Sequence, residues 1–430
     1  MFDLGHQEMK ANLSQLGLRQ KSSDITRLMA LAFQRPDILS LAAGFTDSES
    51  LPVEDVREIV QEISCLETEA KASLQYGPNI GRDALRSHLT SRIANCDLDS
   101  EAALQPDRLF ITNGSQQALY LAVQTLCDAG DCILVEQPTY FVFLEILQGL
   151  GVEPIPMPMD DRGDVDLDVL RTVFEKAALD GSIEKIKAVY LVSYFANPSG
   201  HSISEEVKQA LGELLTEFNS SIALLEDAAY RELYYEEAHP AKSALSIDSC
   251  CDLPVLYTST LTKPYASGLK VGYVYCNSDE WRDAMLAVKG QQDFGTSHFT
   301  QAILERALLS GRFDRHLSEL RGIYNRKMQA LHRCLARSLL DLGWSWAIPE
   351  GGLYLWLRSP NGLPTGSESE FHKACLDSGV FYVPGDLCFV NNAQIDYIRA
   401  SFGVLSENQL EEAAERFNRA AASVDRAIAN

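Results

Sequence analysis

The middle of the chain alternates short apolar runs with longer helical patterns. The runs are rich in Val, Ile, Leu or Tyr, which is typical of strands covered on both faces. Six such runs lie at residues 108–112, 132–135, 188–192, 223–226, 255–257 and 271–275. Helical patterns follow several of them, for example at residues 116–128 and 205–218. This alternation predicts an α/β fold in which a mainly parallel sheet lies between two helical layers.

The two ends of the chain show a different pattern. Residues 53–63 place five aliphatic side chains on one helical face, and Ser406 stands three positions before Gln409, a capping-box signature for a helix running to about residue 428. With 430 residues, the chain is too long for one ordinary core. We therefore expect a large domain at residues 55–310 and a smaller α+β domain formed by residues 1–54 and 311–430.

Charge and composition exclude several classes of function. The formal net charge is -23, and the acidic residues are spread along the chain, so nucleic acid and anionic membranes are not expected partners. The 10 cysteines form no CxxC pair and the 8 histidines form no HExxH motif, so no metal site is expected. No signal peptide and no apolar run of about 20 residues is present, which favours a cytoplasmic protein.

A first candidate binding segment is the turn that precedes a predicted helix. Gly114, Ser115 and Gln116 follow the strand at residues 108–112. The first N–H groups of a helix lack internal partners and lie at its positive end, so this turn could bind a phosphate. An ordinary helix cap explains the same residues.

A lysine in a hydroxyl-rich turn forms a second candidate. Lys263 follows Thr260 and Thr262, and Lys270 comes shortly after. A lysine that attacks a carbonyl must be neutral, and desolvation together with nearby cations lowers its pKa. The threonines and Lys270 could bind a phosphate. The alternative is a solvated loop lysine.

Three further polar residues follow predicted strands. Asp227 ends a strongly apolar strand, where a carboxylate needs either a cationic ligand or a salt bridge. Asn197 lies in an Asn-Pro-Ser-Gly turn, which could present its amide to a ligand or serve only as a turn. Arg399 could bind a carboxylate through two parallel hydrogen bonds or form a salt bridge between domains.

In this order and spacing, the motifs resemble those of the fold-type I pyridoxal-phosphate enzymes, the class I/II aminotransferases. Within that group the chain is similar to the branch of the α-aminoadipate, kynurenine and broad-range 2-aminoacid aminotransferases. The resemblance extends from about Ser23 to about Ala420. Further matching segments are Leu39–Pro52, Gln75–Arg86, Glu136–Tyr140, Glu350–Trp356 and Tyr382–Gly385.

The resemblance assigns roles around the ring of pyridoxal 5'-phosphate. Lys263 holds the cofactor as a Schiff base and then moves the proton of the reaction. Asp227 keeps the ring nitrogen protonated, which preserves the ring as an electron sink. Asn197 and Tyr230 bind its O3′ oxygen, and Tyr140 stacks on the ring, so Lys263, Asp227 and Tyr140 form the expected catalytic group.

It also assigns residues to the phosphate and to the substrate. The expected phosphate ligands are Gly114, Ser115, Gln116, Thr260, Thr262, Lys270 and, from the neighbouring subunit of a homodimer with shared active sites, Tyr76. The expected substrate ligands are Arg399, which binds the α-carboxylate, and Gly44, Asn197 and Tyr354.

The chain departs from the family pattern in three places. Lys270 stands where arginine is usual, which replaces a planar fork by a point charge. Ser267, in the turn after Lys263 and Pro264, stands where proline or alanine is common. Thr46 and Asp47 replace a proline and a small residue in the segment that often lines the substrate side chain; Asp47 either favours a basic or polar substrate or is a solvated loop acid.

The resemblance implies a ping-pong exchange of an amino group between an L-amino acid and a 2-oxo acid. The first alternative is another reaction on the same cofactor, namely β- or γ-elimination or replacement, cyclisation or oxidation. A second alternative is a regulator without turnover. Regulators of this type carry a basic DNA-binding domain ahead of the fold, whereas this chain is acidic and only about 40 residues precede Gly44.

Overall fold

The computed structural model describes residues 12–20, 37–97, 104–160 and 162–429. The Ser23 end of the resemblance and parts of the predicted 1–54 segment lie outside these residues. The strands are β1 Leu39–Ser40, β2 Leu109–Thr112, β3 Cys132–Val135, β4 Glu153–Pro156, β5 Ile186–Val192, β6 Ala223–Asp227, β7 Val255–Thr260, β8 Gly272–Cys276, β9 Tyr354–Arg358, β10 Val380–Phe381, β11 Val383–Pro384 and β12 Tyr397–Ser401.

The helices of the described residues are α1 Gln15–Arg19, α2 Val53–Cys65, α3 Glu67–Leu74, α4 Asp83–Cys96, α5 Gly114–Leu126, α6 Phe141–Leu150, α7 Leu167–Asp180, α8 Glu205–Asn219, α9 Asp279–Gln292, α10 His298–Leu309, α11 Arg312–Leu339, α12 Glu370–Asp377 and α13 Glu407–Ala429. None of them combines the length and apolar content that a membrane crossing requires.

A seven-stranded sheet in the order β2-β8-β7-β6-β5-β3-β4 forms the centre of the fold. Only β8 runs against its neighbours, because it pairs antiparallel with both β2 and β7. The six predicted strands are all present, and the mainly parallel α/β fold is confirmed. The seventh strand, β4, has two prolines and lies at the sheet edge, so it lacks the apolar pattern on which the prediction rests.

Side chains alternate between the two faces of this sheet. On β3, Ile133 and Val135 pack with helices α5, α6 and α9, while Leu134 packs with α7 and α8 on the opposite face. Both faces are therefore buried, which explains why the strands are almost continuously apolar. The arrangement is the three-layer α/β/α domain expected from the sequence.

The second part of the molecule is built around an antiparallel sheet of order β11-β12-β9. Helix α13 packs on α11, and its start has the predicted capping box, with reciprocal Ser406–Gln409 bonds of 3.0 and 3.3 Å. β1 pairs in parallel with β10, so the N-terminal segment joins this part. We propose the domain division at residues 55 and 310, since all seven strands of the large sheet lie between these positions and both small sheets lie outside them.

Candidate active site

A cavity of about 420 Å³ lies at the carboxyl edge of the large sheet. Strands β5, β6 and β7 end there, which is where open α/β sheets bind their ligands. Every predicted site residue except Tyr76 lines this cavity: Gly44, Gly114, Ser115, Gln116, Tyr140, Asn197, Asp227, Tyr230, Thr260, Thr262, Lys263, Lys270, Tyr354 and Arg399. The sequence motifs therefore converge on one place.

One end of the cavity is the start of α5. The N-cap residue Asn113 makes no side-chain cap bond to this helix, and its amide nitrogen donates to Asp293 at 2.8 Å. The helix N-terminus is thus left for another acceptor, and its positive dipole end favours an anion. The helix start packs closely on Gly272. Any larger residue there would clash, since a Cβ would lie 2.6 Å from the Ser115 nitrogen. The ordinary-cap explanation does not describe this turn, and a phosphate fits it.

Hydroxyl groups and a cation surround the same end. The Thr260 and Thr262 hydroxyl oxygens lie 2.7 Å apart. Lys270 is exposed at the cavity edge and has a left-handed backbone with φ 55°. It forms no ion pair with the acidic residues that the structure describes, so its charge remains available to an anion.

Asp227 lines the cavity at the end of β6. Its carboxylate accepts bonds from the Ala229 N–H at 3.0 Å and the Tyr190 hydroxyl at 3.1 Å. Burial raises the pKa of Asp227 to about 6, although both hydrogen bonds oppose the shift. No cation of the described residues pairs with the Asp227 carboxylate, so the salt-bridge explanation fails. A protonated ring nitrogen would supply the missing positive partner.

Lys263 lines the same cavity and lies in the connection from β7 to β8. Its amine donates to the Gly44 carbonyl. Burial lowers the pKa of Lys263, with Arg399 and Lys270 adding to the shift while Tyr354 opposes it. The solvated-loop explanation is therefore wrong: this lysine lines the cavity and is biased toward the neutral, nucleophilic form.

Arg399 is almost completely buried, on β12 of the small sheet. It donates to the Asn197 side-chain oxygen at 2.9 Å and to the Ala42 carbonyl at 2.8 Å, and its Nε has no partner. No carboxylate of the described residues neutralises it, so it is not the domain salt bridge that was the alternative. A buried guanidinium with donors left over fits a substrate carboxylate.

Three tyrosines complete the cavity wall. Tyr230 and Tyr354 share a hydroxyl–hydroxyl contact of 3.1 Å, and Tyr140 directly precedes α6. Burial raises the pKa of Tyr230 well above its usual range, so its hydroxyl stays protonated. Gly44 lets Tyr354 approach, because a Cβ there would lie 2.7 Å from the Tyr354 hydroxyl.

Tyr76 lies outside the cavity. Its side chain is 81% exposed and makes an edge-to-face contact with Phe294, which is also exposed. Its predicted role in a neighbouring subunit is not tested by a single chain and remains a proposal.

Several residues of the cavity were not predicted from the sequence. Tyr190 donates to Asp227, and Phe45, Phe141 and Val142 line the cavity. Apolar residues next to the motifs carry no distinguishing sequence signal. Tyr190 could have been found only by pairing the predicted strands, since β5 lies beside β6 with Val192 opposite Asp227.

Asp47 fits neither of its two sequence interpretations. Its side chain is buried rather than solvated, and its carboxylate pairs with Lys327 at 2.9 Å. Since Lys327 already neutralises the charge, Asp47 is not a free acid for a basic substrate. The partner lies 280 positions along the chain, which the sequence pattern does not reveal.

The cavity therefore combines an uncapped helix N-terminus that can bind an anion, a buried carboxylate, a lysine of lowered pKa and a buried arginine. This set can hold a phosphate-bearing ring, attack its carbonyl group and orient a carboxylate substrate. The fold and cavity define a two-part α/β enzyme built for amino-group chemistry.

Comparison with known proteins identifies the family. The model of "Aminotransferase class I and II" matches residues 36–417. The chain is 30% identical over 403 residues to aromatic-amino-acid aminotransferase 1 of Thermococcus litoralis, covering 94% of this chain and 92% of the relative. The chain therefore belongs to the class I and II aminotransferases and is an aminotransferase of fold type I.

Two solved structures share this fold. Kynurenine aminotransferase of Pyrococcus horikoshii, solved in complex with PMP, is 28% identical with a TM-score of 0.84, covering 96% of this chain and 97% of that one. LysN, the α-aminoadipate aminotransferase of Thermus thermophilus complexed with N-(5'-phosphopyridoxyl)-L-leucine, is 26% identical with a TM-score of 0.81 and the same two coverages.

Proposed function

We propose that the cavity at the carboxyl edge is the active site, with Lys263 as the covalent anchor of pyridoxal 5'-phosphate. The chain then exchanges an amino group between an L-amino acid and a 2-oxo acid by a ping-pong mechanism. The convergence of Lys263, Asp227 and Arg399 on one cavity with an uncapped helix start carries this proposal. Nothing observed favours elimination, replacement, cyclisation or oxidation.

The residues present fit the cofactor at both of its ends. The N-terminus of α5, the two threonine hydroxyls and Lys270 would hold the phosphate. Asp227 would pair with the protonated ring nitrogen, and Tyr140 would lie against the ring. When bound, pyridoxal phosphate supplies an aldehyde that condenses with amines and a ring that accepts the electron pair released at the substrate Cα.

Substrate binding would depend on Arg399. Arg399 lines the cavity, and Asn197 holds the guanidinium in place through its side-chain oxygen. The Asn197 amide nitrogen is then left as a donor for the cofactor or the substrate. Because Arg399 and Lys263 line the same cavity, we expect a carboxylate bound by Arg399 to bring the substrate Cα toward Lys263, which would favour α-amino acids.

Lys263 would carry the proton of the reaction. Its amine is biased toward the neutral form by burial, so it can take the proton from the substrate Cα and return it. The Gly44 carbonyl accepts a hydrogen bond from this amine and thereby orients it.

The assembly in this proposal is a cytoplasmic homodimer with shared active sites. Tyr76 and Phe294 form an exposed aromatic pair. This pair lies close to the start of α5, because Asp293, the residue before Phe294, accepts a hydrogen bond from Asn113, the residue before α5. In a twofold dimer, this pair would be buried against the partner, where Tyr76 could reach the phosphate of the other subunit.

The test is a half-reaction with the purified, cofactor-loaded enzyme. Single L-amino acids are added without any oxo acid, and the visible absorbance and the products are measured. Transfer predicts loss of the visible band with one oxo acid formed per active site. Release of ammonia, or a product that keeps its nitrogen in a new bond, would contradict the proposal. Lys263→Ala provides the inactive control.

A further inference from the structure

One wall of the cavity is formed by Gly44 and Phe45, which belong to the N-terminal segment 42–47. Its backbone already meets the active site twice, since the Ala42 carbonyl accepts from Arg399 at 2.8 Å and the Gly44 carbonyl accepts from Lys263. Phe45 also lines the cavity, and its side chain is 48% exposed. The position of this segment therefore determines where the Phe45 side chain lies in the cavity.

The segment is anchored by a buried ion pair just beyond Phe45. The Asp47 carboxylate lies 2.9 Å from the Lys327 amine on α11, and the two side chains are only 6% and 5% exposed. The hydroxyl of Tyr324, on the same helix, accepts from the Asp47 N–H at 3.3 Å. A buried pair of this kind stabilises little in total, but the removal of one partner is costly, so it fixes one arrangement of the backbone.

The same lysine joins this wall to the strand that carries Arg399. The Lys327 amine also donates to the carbonyl of Gly403, two residues after β12, at 3.1 Å. Gly403 packs on the segment itself, because a Cβ there would lie 2.4 Å from the Phe45 carbonyl oxygen. Through Lys327, the ion pair thus fixes the position of segment 42–47 relative to β12, the strand that carries Arg399.

A weaker contact joins the segment to a second element. The hydroxyls of Thr46 and Ser267 lie 3.5 Å apart, at the turn that carries Lys270. The segment is therefore held both from α11 and from the connection between β7 and β8.

We propose that Asp47 and Lys327 are positioning residues that hold Phe45 as the side-chain wall of the substrate cavity, and that they thereby select amino acids with an apolar or aromatic side chain. This proposal rests on the proposed function of the cavity. Asp47 acts through the backbone of Phe45, and its charge is neutralised by Lys327, so neither residue recognises a cationic side chain.

The experiment compares L-phenylalanine with L-alanine as probes for the cofactor-loaded enzyme. Asp47→Asn leaves Lys327 buried without its partner and loosens the segment. We expect the KM for L-phenylalanine to rise about tenfold while kcat changes less than about twofold. L-alanine shares the Arg399 contact but does not reach Phe45, so its KM should rise clearly less than the KM for L-phenylalanine, and the visible absorbance of the cofactor should not change.

Rescue and control variants separate positioning from general destabilisation. Lys327→Arg keeps the charge and should retain most of the selectivity, and Asp47→Asn combined with Lys327→Met should recover part of it, because no buried charge is left unpaired. Glu49→Gln removes an exposed carboxylate two residues beyond Asp47 and should change nothing. A variant that lowers thermal stability but leaves the phenylalanine-to-alanine selectivity intact would overturn the proposal.

Hydrogen exchange gives a readout that does not depend on turnover. In the cofactor-loaded enzyme without substrate, Asp47→Asn should raise backbone amide exchange at residues 42–48, with little change elsewhere. Unchanged exchange there would overturn the positioning role. If the parent enzyme fails to transfer amino groups at all, the proposed function fails, whereas the exchange result still decides whether the ion pair holds the wall.

Discussion

The pairing of Asp227 with the cofactor ring makes a prediction about pH. The buried carboxylate has a pKa of about 6 because burial disfavours its charge. The shift from the ordinary value of 3.8 is about 2 pH units, equivalent to about 3 kcal/mol. A protonated ring nitrogen placed beside Asp227 would recover much of this cost, so cofactor binding should favour the ionised form.

The sign of the pH effect follows from this linkage. Below the pKa, Asp227 in the cofactor-free enzyme is protonated and must lose its proton before it can pair with the ring nitrogen. Cofactor affinity should therefore fall as the pH falls through 6. At pH 5 about one tenth of the carboxylates are ionised, so the contribution of Asp227 to affinity should drop about tenfold.

The assay is a titration of the cofactor-free enzyme with pyridoxamine phosphate between pH 5 and pH 7.5. This ligand cannot condense with Lys263, so its binding reports non-covalent contacts alone. Asp227→Asn is the matched control, because it shares the titration of the ligand phosphate. At pH 7.5 the parent enzyme should bind about 10- to 100-fold more tightly than the variant, which is the value of a charge-assisted bond. The difference should shrink about tenfold by pH 5; a constant difference would refute the reasoning.

Three further substitutions test other parts of the account. Arg399→Lys replaces the planar fork by a point charge and should raise the KM for amino acids about 100-fold in steady-state assays, without a matching loss for amines that lack a carboxylate. Glu226→Gln leaves the fully buried Lys208 without its charge partner, 2.8 Å away, and should lower the free energy of unfolding in urea by about 3–5 kcal/mol. Its matched control, Glu217→Gln, breaks an exposed pair with Arg171 and should cost less than about 1 kcal/mol. Lys270→Arg should slow the release of pyridoxamine phosphate about tenfold, because a guanidinium group binds phosphate through two hydrogen bonds and an ammonium group does not. Release is measured by dilution and absorbance. Equal or faster release would show that Lys270 does not contact the phosphate.

The sequence predicted the fold well where local pattern and tertiary packing agree. The strands β3, β5 and β6 are covered on both faces, so their apolar runs stand out. β4 was missed because an edge strand with two prolines carries no such pattern. Chain length and the capping box at Ser406 pointed to a second domain formed by the termini.

The site was predicted from the joint order of motifs rather than from any single residue. Lys263 looks like a loop lysine on its own, because the burial and the Arg399 charge that lower its pKa arise only after folding. Asp47 illustrates the limit of local patterns. Its meaning depends on Lys327, which the fold brings beside it from a distant helix.

The most direct test of the central claim is to locate the covalent attachment of the cofactor. The cofactor-loaded enzyme is reduced with borohydride, digested and mapped by mass spectrometry. The account predicts one modified residue, Lys263, with no modification at the nearby Lys270, and no trapped cofactor in Lys263→Ala. Attachment at Lys270 or another lysine, or retention of a trapped cofactor in Lys263→Ala, would contradict it.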